Sequence, residues 1–281
     1  MTFSFVGRSP DGAALGVAVA SKFLAAGAYV PAAACDAGAL ATQAHVNLAL
    51  RTRGLELLRQ GVPAEQLLTD FFRDDPLRGE RQAGVVDRHG RAATFTGDLA
   101  QPWAGGRTGQ GPEGAFAAQG NMIAGPQVVD AMVESWLSTA TTPSLARRLV
   151  LALTAGEAAG GDPRGRQAAA VLVVSPGGGY GGLSDVVVDL RSDDSPQPIP
   201  ELQRMLDLHE LYFGRTPDDE LLTYGPDLLR ELGGRLARAG YASGDVQRDL
   251  YDWMGRENFE ERWRDDRLDP VVLQHLRAAT G

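Results

Sequence analysis

One residue in this chain carries a nucleophile and a base at once, and it is the second. Thr2 follows Met1 directly. Initiator methionine is usually removed before a small residue, and Thr2 would then hold a hydroxyl and a free α-amine on the same carbon frame. The amine has an ordinary pKa of ~7.7–8.0, so a usable fraction is neutral near pH 7. A hydroxyl activated by its own amine is a complete pair for attack on an acyl carbon. The plain alternative is an ordinary strand residue. A second residue attracts notice by its rarity: Lys22 is the one lysine among 27 basic side chains. A compact ammonium with a tunable pKa does what a planar guanidinium cannot. Beside the Thr2 amine it would lower that amine's pKa, because a like charge disfavours a second cation. The alternative is a chance survivor of a bias towards arginine.

Other candidates are weaker. The four histidines, His45, His89, His209 and His275, are scattered without ligand spacing, so no metal is expected. His45, at the end of a strand near the core, is the one with a functional flag. Cys35 has no CxxC companion and reads as a small packed residue. GGGYGG (177–182) lacks the Gly-Lys-Ser/Thr and the following helix of a phosphate loop, so it reads as a hairpin turn. No GxSxG elbow is present. No cofactor is expected.

The elements that must place Thr2 and Lys22 come first in the chain. Residues 2–8 and 14–22 alternate or run apolar as two strands, joined at Ser9-Pro10-Asp11-Gly12. A three-residue loop there sets Phe5 opposite Val17, Phe3 opposite Val19 and Thr2 opposite Ala20. Thr2, Ser4, Ala18, Ala20 and Lys22 then share one face. In this register Lys22 lies beside Thr2, and Lys22→Arg would cost much activity.

Further along, 39–46 is a strand, and 48–60 and 63–74 carry helical spacing, with Pro63 at a helix start. Residues 81–97 form a hairpin, 104–114 a Gly-rich loop, and 126–137 and 144–158 two helices. QAAAVLVV and DVVVDLR pair across Ser175–Ser184. Strands, two helices, strands, two helices, strands suit two antiparallel sheets with helices outside each, an α+β four-layer αββα sandwich over 1–191. Residues 192–200 are acidic and Pro-rich, which marks a linker. From 201 to 281 the pattern is wholly helical, with 17 acids against 11 arginines.

Composition bounds the partners. A net charge of −9 and 281 residues describe a chain with a full core and no bias towards nucleic acid or anionic membrane. No apolar run approaches the ~18 residues of a membrane span, and no secretory signal is read, so a cytoplasmic address is expected. Homodimerisation is the expected assembly.

The stretches TFSFVGRSPDGAALGVAVASKFLAAG, TQAHVN, RQAGVVDRHGRAATFTG, PWAGGRTG, AAQGNMIAG, AAGGDPRGRQAAAVLVV and GGYGG…VDLR together resemble the DUF1028 family, placed in the N-terminal-nucleophile (Ntn) hydrolase superfamily. The resemblance runs in order through residues 2–191. It implies the αββα fold and amide hydrolysis with Thr2 as nucleophile. The expected reaction is cleavage of a linear amide bond, other than a typical peptide bond, in a small molecule or short peptide, with Lys22, from the register above, tuning the Thr2 amine and hydroxyl. Asn121, in Gln119-Gly120-Asn121, is then a candidate oxyanion donor alongside backbone N–H groups. Asp162, Arg164 and Arg166 are candidates to grip charged groups of the substrate, and His45 is a further substrate-binding candidate. The alternative for these three is a salt-bridged loop, and for Asn121 a turn residue. The family often has Arg or Lys after GGD, where this chain has Pro163. Residues 201–281, with GYASG, ENFEERW and DPVVLQHLR, resemble a peptidoglycan-binding-like module. Two rival readings follow: a non-catalytic binding protein that keeps the fold with an idle nucleophile, and a cell-wall-associated accessory protein that uses this module.

Overall fold

The computed structural model describes residues 2–100 and 103–281. Met1, on which a free Thr2 amine depends, lies outside them. The chain divides after Leu206 into two compact units.

The first unit opens with β1 (Thr2–Arg8) and β2 (Leu15–Ser21), then α1 (Ala26–Tyr29), β3 (Pro31–Ala34) and β4 (Gly38–Ala44). Helices α2 (Leu48–Arg59) and α3 (Ala64–Phe72) follow, then β5 (Arg81–Asp87), β6 (Ala92–Thr96), β7 (Ala104–Gly111) and β8 (Gly114–Asn121). Helices α4 (Pro126–Ser138) and α5 (Leu145–Ala158), strands β9 (Ala168–Val174) and β10 (Val186–Ser192), and the start of α6 (Pro198–Phe213) complete it. One antiparallel sheet has the order β10-β9-β2-β1-β8-β7 and the other β3-β4-β5-β6. Because side chains alternate along a strand, Phe3, Phe5, Ala18 and Ala20 meet Trp136, Leu149 and Leu153 of α4 and α5. Val6, Val17 and Val19 meet Ala39, Ala41 and Val86 of the other sheet. The far face of that second sheet buries Leu40 and Val85 against Leu50, Leu58, Leu67 and Phe72 of α2 and α3. The layers are therefore αββα, and the class is α+β.

Three expectations are corrected. The first hairpin is longer by one residue: Arg8 pairs with Leu15, Phe5 with Ala18, Phe3 with Ala20 and Thr2 with Ser21. Asp11 causes the shift. Its carboxylate accepts the Ser9 hydroxyl at 2.6 Å and the Ala13 N–H at 3.0 Å, so Ala13 stays inside the turn. Gly12 takes φ +75° there, and Ser9 closes on Ala14 instead. The face of Thr2 thus holds Ser21, and Lys22 falls beyond it. Second, the Gly-rich stretch 104–114 is mostly β7, paired along its length with β8. Its glycines make room for neighbours: a Cβ on Gly109 would overlap the Phe116 ring. Third, the stretch read as a linker is ordered. Ser192 and Ser195 donate their hydroxyls to Glu201 at 2.7 Å each, and Pro198 starts α6, whose Ile199, Leu202 and Leu206 are buried in the first core.

The second unit holds the end of α6, the two-residue pair β11 (Leu222–Thr223) and β12 (Arg267–Leu268), and helices α7 (Pro226–Arg238), α8 (Val246–Arg256) and α9 (Pro270–Thr280). Its own core gathers Leu232, Leu236, Leu250, Trp253, Phe259 and Leu276. On its surface Glu231 accepts from Arg277 Nε and Nη2 and from Arg235 Nε, all at 2.8 Å. Those hydrogen bonds, Arg277 first, hold the Glu231 carboxyl down to about 2, against an ordinary 4.5.

Two outcomes are expected. Gly84 on β5 lies directly under the Gln119 carboxamide, where a Cβ would overlap it; Gly84→Ala should lower stability by about 1–3 kcal/mol, read as a shifted urea midpoint. For Glu231 the depressed folded pKa means that its contribution is full above about 4.5 and is lost as pH falls towards about 2. The advantage of wild type over Glu231→Gln in thermal unfolding of the helical unit should therefore be visible at pH 7, shrink below pH 4.5 and vanish near pH 2.

Candidate functional site

The site begins where β1 begins. Strand β1 sits inside its sheet, paired on one side with β2 and on the other with β8, so Thr2 has Ser21 and Asn121 as its two cross-strand neighbours. Thr2 is buried, and its Oγ1 lies 3.0 Å from Ser21 Oγ.

Thr2 is also held through its backbone. Its carbonyl accepts from Gln43 Nε2 at 3.2 Å and from Asn121 Nδ2 at 3.4 Å. Both amides also donate to Gln82 Oε1, at 2.7 and 3.0 Å. Gln82 Nε2 in turn donates to the Gly120 carbonyl at 2.8 Å and to Thr96 Oγ1 at 3.0 Å. Deeper in, Ser4 Oγ donates to Gln43 Oε1 at 2.6 Å and accepts from Gln119 Nε2 at 2.5 Å. Ser4, Gln43, Gln82, Gln119 and Asn121 are all fully buried between the sheets. Among the described residues, two acceptors in this ladder, Gln119 Oε1 and Asn121 Oδ1, meet no donor.

On its open side Thr2 lines a cavity of about 540 Å³ with Ser21, Tyr29, His45, Glu80 and Arg164. His45 Nδ1, when protonated, donates to Glu80 Oε2 at 3.2 Å. Arg164 is aimed by Asp162, whose carboxylate accepts from its Nε at 3.2 Å and its Nη2 at 3.0 Å. Asp162 Oδ2 also accepts the Lys22 N–H at 3.0 Å, which ties the loop to the end of β2. Phe23, stacked edge-on against Tyr29 at 5.9 Å, makes an exposed apolar rim. Three of the four described non-glycine residues with positive φ flank this strand end: Ala25 (51°), Ala44 (63°) and Met122 (55°). Strain of this kind persists where the surroundings over-determine it, and it clusters at functional sites.

The residues singled out by sequence are thus distributed unequally. Thr2, His45 and Arg164 share one cavity. Asn121 adjoins Thr2, with its amide nitrogen engaged by the Thr2 carbonyl and Gln82. Asp162 and Arg166 line a different cavity, and Arg166 Nε donates to Glu157 Oε1 at 2.9 Å. Lys22 is exposed, and its ammonium donates to the Arg166 carbonyl at 3.3 Å. The one-residue change of register puts Ser21 where Lys22 was expected. Cys35 is half-buried, and burial, with Asp185 nearby, pushes its thiol up to about 11, so it stays protonated. Sequence reasoning missed Ser21, Gln43 and Gln82. The available signal was a single glutamine in each of β4, β5 and β8, in strands rich in alanine, glycine and valine.

Comparison with known proteins agrees with this architecture. Residues 2–202 match the family described as "Family of unknown function (DUF1028)", and residues 212–276 match one described as "Putative peptidoglycan binding domain". A crystal structure of protein SPO2555 from Silicibacter pomeroyi, itself matched to DUF1028, superposes with a TM-score of 0.66 at 30% identity, over 77% of this chain and 90% of that one. No curated protein matches the chain. The two-sheet sandwich defines the class, and the chain belongs to the DUF1028 family with a peptidoglycan-binding-like domain behind it.

Replacing the hub of the ladder tests its cohesion. Gln82→Leu keeps the volume but takes from the Gln43 and Asn121 amides one of their two acceptors, the other being the Thr2 carbonyl, and takes a donor from the Gly120 carbonyl. Each buried bonding position so emptied costs about 1–3 kcal/mol, so we expect a loss of roughly 2–5 kcal/mol in chemical denaturation.

Proposed function

We propose that the protein is an N-terminal-threonine hydrolase that cleaves a linear amide bond of a small molecule or short peptide. The observation that carries this reading is the placement of Thr2. A hydroxyl at the head of an internal strand lines a cavity of about 540 Å³, and its backbone carbonyl is clamped by two buried carboxamides. Held geometry of this kind supplies much of the rate in acyl transfer.

In this reading Met1 is removed and the Thr2 α-amine takes the proton of Oγ1 as it attacks the substrate carbonyl. Collapse of the tetrahedral intermediate breaks the C–N bond, and the proton passes from the α-amine to the leaving nitrogen. Water, deprotonated by the same amine, then cleaves the acyl-threonine ester and restores the hydroxyl. Ser21 Oγ, 3.0 Å from Oγ1, orients the attacking oxygen. Asn121 acts with Gln43 as a positioning residue on the Thr2 carbonyl. Arg164 offers a planar donor to a carboxylate on the substrate, and His45 lies on the same wall. No role remains for Lys22 at the nucleophile. We further propose a cytoplasmic homodimer acting on a small amide. Among the described residues no helix is long and apolar enough to cross a membrane. The match over 212–276 favours one rival, a cell-wall-associated accessory protein, which sedimentation with purified peptidoglycan would reveal.

Active protein should begin at Thr2 by intact mass. Among small acyl-amides and short peptides, any hydrolysis should fall on the order of 10⁶-fold in Thr2→Ala, while the strand-end change costs under ~1 kcal/mol of stability. Lys22→Arg should retain activity. Hydrolysis that persists in Thr2→Ala, or activity in a species keeping Met1, would overturn the reading.

A further inference from the structure

A second cavity, of about 400 Å³, opens on the helix-facing side of the same strand ends. Ser21 borders both cavities, but the rest of the lining differs. One wall is apolar: Phe3 and Ala20 from the sheet, Pro196 and Pro198 from the start of α6. The other wall is the loop after α5, with Asp162 and Arg166, together with Glu157 from α5 itself.

The charges on this wall are not equivalent. Asp162 is spent: Arg164 N and Nε meet Oδ1, and Arg164 Nη2 and the Lys22 N–H meet Oδ2. Arg166 and Glu157 are joined by one hydrogen bond only, from Nε to Oε1 at 2.9 Å. Among the described residues, the two Nη groups of Arg166 have no acceptor and Glu157 Oε2 has no donor. A pair joined at one corner presents a positive and a negative edge side by side. A simple anion here would meet the Glu157 carboxylate, and a simple cation would meet the Arg166 guanidinium and the nearby Lys22 ammonium. A ligand that carries both charges next to each other satisfies both edges, since a guanidinium fits a carboxylate with two parallel N–H donors.

We propose that this cavity binds an apolar α-amino acid, free or as the terminal residue of a longer molecule. Its carboxylate lies on Arg166, its ammonium on Glu157, and its side chain against Phe3, Pro196 and Pro198. The site involves none of the chemistry assigned to Thr2, so it stands or falls separately from the hydrolase reading.

Isothermal titration of the full chain with L-leucine and L-phenylalanine tests this. Two analogues of leucine serve as controls: 4-methylpentanoate, which lacks the ammonium, and 3-methylbutylamine, which lacks the carboxylate. The expected result is saturable one-to-one binding of at least one of the two amino acids, with L-leucine roughly tenfold or more tighter than either analogue. Arg166→Gln should weaken L-leucine and 4-methylpentanoate by roughly tenfold and leave 3-methylbutylamine little changed. Glu157→Gln, which leaves the Arg166 loop in place, should do the converse. Thr2→Ala should bind as wild type does, whatever its activity. Absence of saturable binding by both amino acids, equal affinity for leucine and its analogues, or no selective loss in either charge variant would overturn the proposal.

Discussion

The structure depends on a line of carboxamides buried between two sheets. The space around them is built from alanine and valine, where an unpaired amide is costly and a paired one is strong. Gln43 and Gln82 come from the sheet of β4 and β5, and Ser4, Gln119 and Asn121 from that of β1 and β8. The bonds from Ser4 to Gln43, Gln43 to the Thr2 carbonyl, Asn121 to Gln82 and Gln82 to the Gly120 carbonyl run across the interface, so they fix how one sheet is set on the other. A one-residue slip in β1, β4, β5 or β8 would turn a polar side chain from this layer to the helix layer. Gly84 belongs to the same constraint, because the Gln119 carboxamide occupies the space its side chain would take. Since two of the amides end on the Thr2 carbonyl, the position of Thr2 is set by both sheets together.

Much of this fold is legible in the sequence, because most of it follows from periodicity. Helices α2 to α5 show their apolar stripes, β1 shows its alternation, and β2 and β9 are apolar runs bounded by turns. What is not legible depends on single contacts. The length of the first hairpin is decided by one Asp11 carboxylate, which keeps Ala13 in the turn. That residue moves Lys22 off the Thr2 face and brings Ser21 onto it. Strand β7 has no side-chain pattern to read, since Gly106 and Gly109 lie where the backbone and side chains of neighbours leave no room. The stretch after β10 has a linker's composition, yet two serines fold it onto Glu201. Of the candidate site, Thr2, His45 and Arg164 are found by sequence and share a cavity, whereas the amide ladder appears only when strands far apart in sequence are brought together.

The loop after α5 shows how one segment serves two spaces. Asp162, with its side chain only 4% exposed, is the fixed point. It holds Arg164 towards the cavity of Thr2 and, through the Lys22 N–H, is fastened to the end of β2. Two residues on, Arg166 turns to the opposite cavity and receives the Lys22 ammonium on its carbonyl. Gly165, at φ +110°, permits that reversal. Lys22 is therefore a fastener of this divider, which gives the rare lysine a structural use.

The strained residues complete this logic. A non-glycine residue at positive φ costs on the order of 1–3 kcal/mol, and it persists only where its neighbours leave no alternative. Around this strand end the neighbours do so. The Ala25 N–H is tied to the Asp193 carbonyl at 2.9 Å, and the His45 N–H that follows Ala44 is tied to the Glu80 carbonyl at 3.0 Å. Met122 lies between Asn121, fixed in the amide ladder, and Ala124, whose N–H meets the Gly161 carbonyl at 3.1 Å. The turns at Ala25 and Ala44 redirect the chain just before Ala26 and His45 of the cavity wall, and the turn at Met122 does so just after Asn121, the cross-strand neighbour of Thr2. A relaxed backbone would carry Tyr29, His45 or Asn121 elsewhere, so the strain is the cost of converging several distant segments on Thr2.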